Sequence, residues 1–278
     1  MKTLLVTGIS GFLGWHIARH PQSNWKLLGT FHRNPKEYPQ VDLHSLDLTD
    51  ESRTKALLAD LSPTAILHLA ACAQPNFCEQ HPEVAHAVNV EASIRLASLA
   101  AQRQIPFIFT STDLVFDGRQ APYRETDPLE PVNVYGRQKA EAERGVLAIY
   151  PEATIARMPL MFSRQRAVAS FLTNWLAALE RGENVYAFTD EIRTALSGKK
   201  AAQGLFQLLD HGLKGIWHLG GREPLSRFDF ICQEARAAGL STDLILPSLQ
   251  KEVQMPAARP ADVSLDSRKA REAFGWAG

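Results

Sequence analysis

Tyr135 and Lys139 stand four residues apart at the start of a predicted helix. One helical turn stacks such a pair on one face, within reach of each other. A phenol ordinarily loses its proton near pH 10 and is a poor acid or base at neutrality. A cation about 4 Å away, at an effective dielectric near 20, contributes roughly 4 kcal/mol, or about three pK units. That shift would make Tyr135 an acid–base group near pH 7. The same spacing also suits an ordinary surface pair, so it carries little alone.

A second group, Thr110-Ser111-Thr112-Asp113, sits at the carboxyl end of a predicted strand, Phe107–Thr110. A hydroxyl there could bind a carbonyl or alcohol oxygen beside the tyrosine, or it could cap a turn. The third group is Thr7-Gly8-Ile9-Ser10-Gly11-Phe12-Leu13-Gly14, directly after the apolar run Leu4-Leu5-Val6. Gly8 permits a sharp strand-to-helix turn, Gly11 admits a ligand against the backbone, and Gly14 lets helix and strand pack closely. The helix that follows would point free N–H groups and its positive end at a pyrophosphate. Gly8, Ser10, Gly11, Phe12, Leu13 and Gly14 are therefore the candidate dinucleotide contacts.

The elements needed to hold these groups alternate through the first 160 residues. Leu4–Thr7, Lys26–Phe31, Ala65–Leu69, Phe107–Thr110 and Ala153–Ala156 read as short buried strands. Helical patterns lie near Phe12–Arg19, Ser52–Asp60, Val84–Ala101 and Gly136–Ile149; in the third, Val84, Val88, Leu96 and Leu99 recur near a 3.6-residue period. Such alternation predicts a doubly wound parallel α/β sheet of Rossmann type, with ligands beyond the carboxyl ends of its strands. Past residue 160 the pattern is irregular, with helices predicted over Val168–Arg181 and Phe228–Ala238 and a strand over Gly215–Leu219. The expected division is a dinucleotide-binding domain, residues 1–160 with about 196–221. A smaller substrate lobe would take about 161–195 and 222–278. The proline-punctuated loop Phe116–Val134 is long enough to suggest a role.

Lys+Arg 30 against Asp+Glu 30 leaves no net charge, so neither a nucleic-acid footprint nor a membrane-surface tail is expected. Cys72, Cys78 and Cys232 have no metal-type spacing, and their odd number argues against a disulfide framework. The apolar run before the glycine turn is too short for a secretory leader, and no 18-residue apolar run follows. A soluble cytoplasmic chain, monomeric or homodimeric, is the expectation.

With these motifs in order, the chain resembles the extended short-chain dehydrogenase/reductases, and most of all the dTDP-4-dehydrorhamnose reductases. The resemblance runs through Gly8-x-x-Gly11-x-x-Gly14, Asp47-Leu48, His68-Leu69-Ala70-Ala71 and Asn89-Val90. It continues in Ser111-Thr112-Asp113-x-Val115-Phe116-Asp117-Gly118, Tyr135-Gly136-x-x-Lys139 and Arg259-Pro260-x-Asp262-x-x-Leu265-Asp266. It implies that Thr112 binds the substrate oxygen, Tyr135 donates the proton, and Lys139 holds the nicotinamide ribose while lowering the tyrosine pKa. It further implies that Asp47 and Leu48 contact adenine, that Ala70 and Ala71 line the cofactor path, and that Asn89 braces the active-site backbone. Asp113 joins Thr112 as a substrate contact, and residues matching Arg193 and Arg259 contact a sugar-nucleotide diphosphate in related epimerases.

Sites that prefer NAD usually place a carboxylate at the end of the second strand for the ribose 2′-OH. This chain has Gly29-Thr30-Phe31-His32-Arg33 there, with no acid before Glu37. Arg33 is placed to pair with a 2′-phosphate, which predicts NADP(H) over NAD(H). Related dehydratases carry a glutamate where this chain has Leu114, and GDP-fucose synthases a cysteine where it has Asp113. The rhamnose-type reductases commonly carry tyrosine at the Leu114 position, so the sugar-contacting surface differs here. The reading reached is an NADPH-dependent reductase of a nucleotide-linked 4-keto-6-deoxy sugar. An epimerase or other carbonyl reductase, and a non-catalytic NADP-binding regulatory subunit, stand as alternatives.

Overall fold

Leu4, Leu5 and Val6 are wholly buried, and the strand they form, β1 (Lys2–Thr7), lies inside a seven-stranded sheet. The computed structural model describes residues 2–20 and 24–278. After β1 come α1 (Phe12–Arg19), β2 (Trp25–Phe31), β3 (Val41–Ser45), α2 (Glu51–Leu61) and β4 (Ala65–His68). Then follow α3 (Pro75–Gln80), α4 (Pro82–His86), α5 (Ala92–Arg103), β5 (Phe107–Thr112), α6 (Val134–Ile149) and β6 (Thr154–Met158). The remainder holds β7 (Met161–Phe162), α7 (Phe171–Glu180), β8 (Val185–Phe188), β9 (Ile192–Arg193), β10 (Leu196–Ser197) and α8 (Gly198–Asp210). It ends with β11 (Gly215–His218), β12 (Leu225–Ser226), α9 (Arg227–Ala237), β13 (Ile245–Ser248) and α10 (Arg268–Phe274).

The sheet order is β11-β6-β5-β4-β1-β2-β3, and every pairing in it is parallel. This is the expected doubly wound α/β architecture. The chain winds outward in opposite directions from β1 and β4, and a crevice opens beyond their carboxyl ends. One face of the sheet packs on α1 and α8 through Leu13, Ile17, Ala201 and Leu205. The other packs on α5 and α6 through Leu96, Ala100, Ala142 and Val146. A third cluster, with Leu172, Val185, Phe230 and Ile245, forms the smaller C-terminal lobe. No helix among the described residues is long and apolar enough to cross a membrane.

Several elements differ from the expectation. The single helix expected over Val84–Ala101 is α4, a wide π-turn at Ala87–Glu91, and α5. β5 runs two residues further than expected, so Thr112 ends the strand. β3 was not expected: its inner and outer residues alternate weakly, as suits an edge strand with Asp42 and His44. α7 starts later than predicted because Ser170 and Thr173 close a reciprocal capping box there.

Candidate active site

The glycine turn has the predicted geometry. Gly8 has φ +68°, and a Cβ on it would stand 2.8 Å from the Ala70 Cα. A Cβ on Gly14 would stand 2.3 Å from the Ile9 carbonyl oxygen, so α1 seats against the turn only through glycine. Gly11 caps α1 without any side-chain hydrogen bond, leaving first-turn N–H groups open. Beside them lies a cleft of about 300 Å³ lined by Gly8, Ser10, Gly11, Asp47, Leu48, Ala70 and Ala71. Phe12 and Leu13 pack their side chains on the core below, so only their backbone faces the turn. An uncapped helix start beside a glycine-walled cleft fits the pyrophosphate and adenosine of a dinucleotide.

Asp47 accepts hydrogen bonds from Thr49 N (2.9 Å) and Thr49 Oγ1 (2.7 Å), which hold its carboxyl below the usual range. His32 approaches the same carboxylate at 3.5 Å, and the exposed Arg33 adds its charge. No carboxylate lies within ion-pair distance of Arg33 among the described residues.

Thr112 caps the turn that follows β5, one of the two roles open to a strand-end hydroxyl. Its Oγ1 accepts from Leu114 N (3.2 Å), capping the short turn Asp113–Val115, and donates to Asp113 Oδ1 (3.1 Å). Its proton therefore stays on Thr112 and points at the Asp113 carboxylate, while the oxygen keeps its capping bond. Asp113 is buried with Oδ2 unpartnered, and Arg193 Nε stands 3.8 Å away. Burial pushes Asp113 up to about 6, against the pull of Arg193.

Asn133 starts α6 by accepting from Gly136 N at 2.8 Å. A Cβ on Gly136 would meet the Leu114 carbonyl oxygen at 2.1 Å, so only glycine lets the helix start lie against the Thr112 turn. This contact brings Tyr135 to Thr112. One turn on, Lys139 is buried with Nζ 3.8 Å from the Phe109 ring centroid.

The electrostatics correct the sequence-based expectation that Lys139 brings Tyr135 toward neutrality. Burial raises the phenol well above its ordinary value, Asp113 raises it further, and the Thr112 hydroxyl is what lowers it. Desolvation brings Lys139 itself down to about 7, with Glu143 opposing.

Asn89 braces the backbone. Its Oδ1 accepts from Cys72 N (2.8 Å), and its Nδ2 donates to Cys72 O (3.2 Å) and Gln138 Oε1 (2.9 Å). Arg193 turns inward: Nη1 donates to Ile192 O (2.7 Å) and Ala261 O (3.2 Å), and Nη2 to Pro260 O (3.1 Å). Arg259 is half-buried and donates to Ala257 O (3.0 Å) and Asn76 Oδ1 (2.9 Å). The structure thus groups Thr112, Asp113, Tyr135 and Lys139, while Arg193 is occupied as a structural strap. The sequence motif contained Gly136 without giving it a role and passed over Gln138; both roles appear only once the helix has a neighbour. All three cysteines are free.

A family model described as the RmlD substrate binding domain matches residues 1–277. The chain belongs to this family. Its members are NAD(P)-dependent oxidoreductases of the short-chain dehydrogenase/reductase superfamily, in agreement with the resemblance read from the motifs. A probable low-salt glycan biosynthesis reductase of Haloferax volcanii is 33% identical over 268 residues, spanning 94% of this chain and 88% of that protein. The methionine adenosyltransferase 2 subunit beta of Xenopus laevis is 32% identical over 276 residues, spanning 96% and 81%. A solved structure described as a hypothetical dTDP-4-dehydrorhamnose reductase from Sulfolobus tokodaii aligns with a TM-score of 0.87 at 28% identity. It covers 99% of this chain and 96% of that one.

Proposed function

We propose that the chain is an NADPH-dependent reductase of a nucleotide-linked 4-keto-6-deoxy sugar. The observation that carries this reading is the convergence of Thr112 and Tyr135 at the end of β5, on the edge that also holds the glycine turn. When bound, a reduced nicotinamide supplies the hydride that reaches the ketone carbon. Thr112 turns its hydroxyl proton from Asp113 to the ketone oxygen and keeps Leu114 N as its capping partner. Tyr135, whose raised pKa keeps it protonated at neutral pH, gives its proton to that oxygen as negative charge develops. Lys139 holds the nicotinamide ribose, and Asp113 Oδ2 takes a sugar hydroxyl.

In the same reading Arg33 meets the 2′-phosphate, Asp47 and Leu48 border the adenine, and Arg259 meets the substrate diphosphate. The doubly wound sheet binds the cofactor, and the lobe around 161–195 and 222–278 binds the sugar nucleotide. NADPH oxidation assayed with a dTDP-4-keto-6-deoxy sugar tests the proposal. Turnover supports it; binding of NADPH without turnover of any such sugar overturns it.

A second reading, a regulatory subunit that keeps the cofactor cleft, gains support from two features. Arg193 is consumed inside the fold, and a relative of similar identity is named as a subunit. Copurification with a catalytic partner whose activity responds to NADPH would favour it.

A further inference from the structure

His68 ends β4 inside the sheet, fully buried, and the proposed chemistry does not use it. Its Nδ1 lies 2.6 Å from Thr7 Oγ1 and its Nε2 lies 2.9 Å from Ser93 Oγ. The neighbours decide which nitrogen carries the proton. Ser93 has one hydroxyl proton and gives it to Asn89 O at 2.8 Å, so its oxygen must accept from His68 Nε2. Thr7 Oγ1 already accepts from Leu69 N (3.2 Å) and Ala70 N (3.3 Å), so its own proton goes to His68 Nδ1. Burial and the nearby Lys139 charge press the imidazole pKa down to about 3, consistent with a neutral ring.

The chain of bonds closes on itself. Thr7 pins the start of the segment Leu69–Cys72 through two N–H groups, and Asn89 pins its end through Cys72 N and O. All four residues of that segment line the cleft beside the glycine turn. Asn89 belongs to the π-turn Ala87–Glu91 that joins α4 to α5. It also holds Gln138 on the helix of Tyr135 and Lys139.

We propose that Thr7, His68 and Ser93 are positioning residues. They form a one-way hydrogen-bond relay that fixes the cleft wall Leu69–Cys72 and ties it to the catalytic helix, with His68 locked as the Nε2–H tautomer. The binding part rests on the NADPH reading of the cleft; the tautomer part stands without it.

Nitrogen-15 NMR of the histidine rings in the full chain reads the tautomer directly. The relay requires His68 to be neutral, protonated at Nε2, and unchanged from pH 8 to pH 5. In S93A the ring should stay Nε2–H, because Thr7 Oγ1, already accepting from Leu69 N and Ala70 N, can only donate to Nδ1, whereas T7V frees Nδ1 and should let the tautomer mix. NADPH titration supplies the second readout. Thr7→Val and Ser93→Ala should each weaken binding about tenfold, whereas Thr7→Ser keeps the hydroxyl and binds as wild type. The double variant T7V/S93A should lose little more than either single change, because each breaks the same relay. An Nδ1–H or titrating His68 in the wild type overturns the proposal, as does simple addition of the two losses. A wild-type chain that binds no NADPH sinks the cofactor reading, while the tautomer still decides the relay.

Discussion

Arg157 grips Glu143 with two nitrogens: Nε reaches both carboxylate oxygens at 3.1 and 3.2 Å, and Nη2 reaches one at 2.8 Å. Both side chains are buried, and Nη1 is spent on Glu125 O and His218 Nε2, each at hydrogen-bond distance. Glu143 lies one turn beyond Lys139 on α6, so the pair anchors the catalytic helix to β6. Removing one partner strands a buried charge and should cost about 3–5 kcal/mol of unfolding free energy. Arg157→Met and Glu143→Leu should each show this in urea denaturation, while the double variant recovers most of the loss. Equal losses for single and double variants would contradict the anchoring role.

Arg193 and Arg259 should separate cleanly. Arg193→Ala strips donors from three carbonyls and leaves Asp113 without its cation, while Glu191 keeps Arg227, so it should lower stability by about 2–4 kcal/mol. Arg259→Ala takes one donor each from Ala257 O and Asn76 Oδ1, and Asn76 Oδ1 keeps Ala257 N at 3.4 Å, a smaller structural loss. It should instead weaken dTDP binding about tenfold by calorimetry, through loss of a guanidinium–phosphate contact. An R193A chain as stable as wild type that no longer binds dTDP would reverse these roles.

The sequence announced most of the sheet because parallel strands buried on both faces are short unbroken apolar runs. The glycine turn was legible because its backbone demands only glycine can meet. What stayed hidden depends on partners distant in the chain. α8 carries Gly198 and Gly204, which weaken a helical pattern. They are there because a Cβ would meet the His16 ring at 2.1 Å and Trp276 at 2.7 Å. The π-turn was invisible because one inserted residue barely disturbs a 3.6-residue period over one turn. At the site, Tyr135, Lys139 and Thr112 could be named from spacing. Their electrostatics could not, since burial outweighs the lysine charge at Tyr135 and no spacing reports burial.

Tyr135→Phe removes the proton donor of the proposed reduction and leaves the ring in its pocket with Cys78 and Ala85. NADPH oxidation should fall by about 10²–10⁴-fold, with NADPH affinity within a factor of two or so of wild type. Lys139→Met should weaken NADPH binding and turnover together. It should also raise stability at pH 7, because burial disfavours the lysine charge that the variant lacks. Fluorescence titration beside steady-state rates checks both. A Y135F chain that keeps wild-type turnover would remove the phenol from the reaction.

Acid sensitivity follows from three buried histidines. Burial holds His68 and His218 at about 3 and His16 at about 4, against an ordinary value of 6.5, so the unfolded chain binds their protons first. Their contribution to stability is whole above pH 6.5 and drains as pH falls toward 3. Asp113 works the other way: raised to about 6, it takes its proton in the folded state first, which favours folding between about pH 6 and 3.8. Three losses against one gain leave a net fall of roughly 2 kcal/mol per pH unit between pH 6 and 4.5. Urea midpoints at half-unit steps measure it. His218→Gln should begin less stable, having lost a partner for Arg157, and should show a flatter slope over the same window. A wild-type midpoint that stays level to pH 4.5 would mean that these imidazoles take up protons inside the fold without cost.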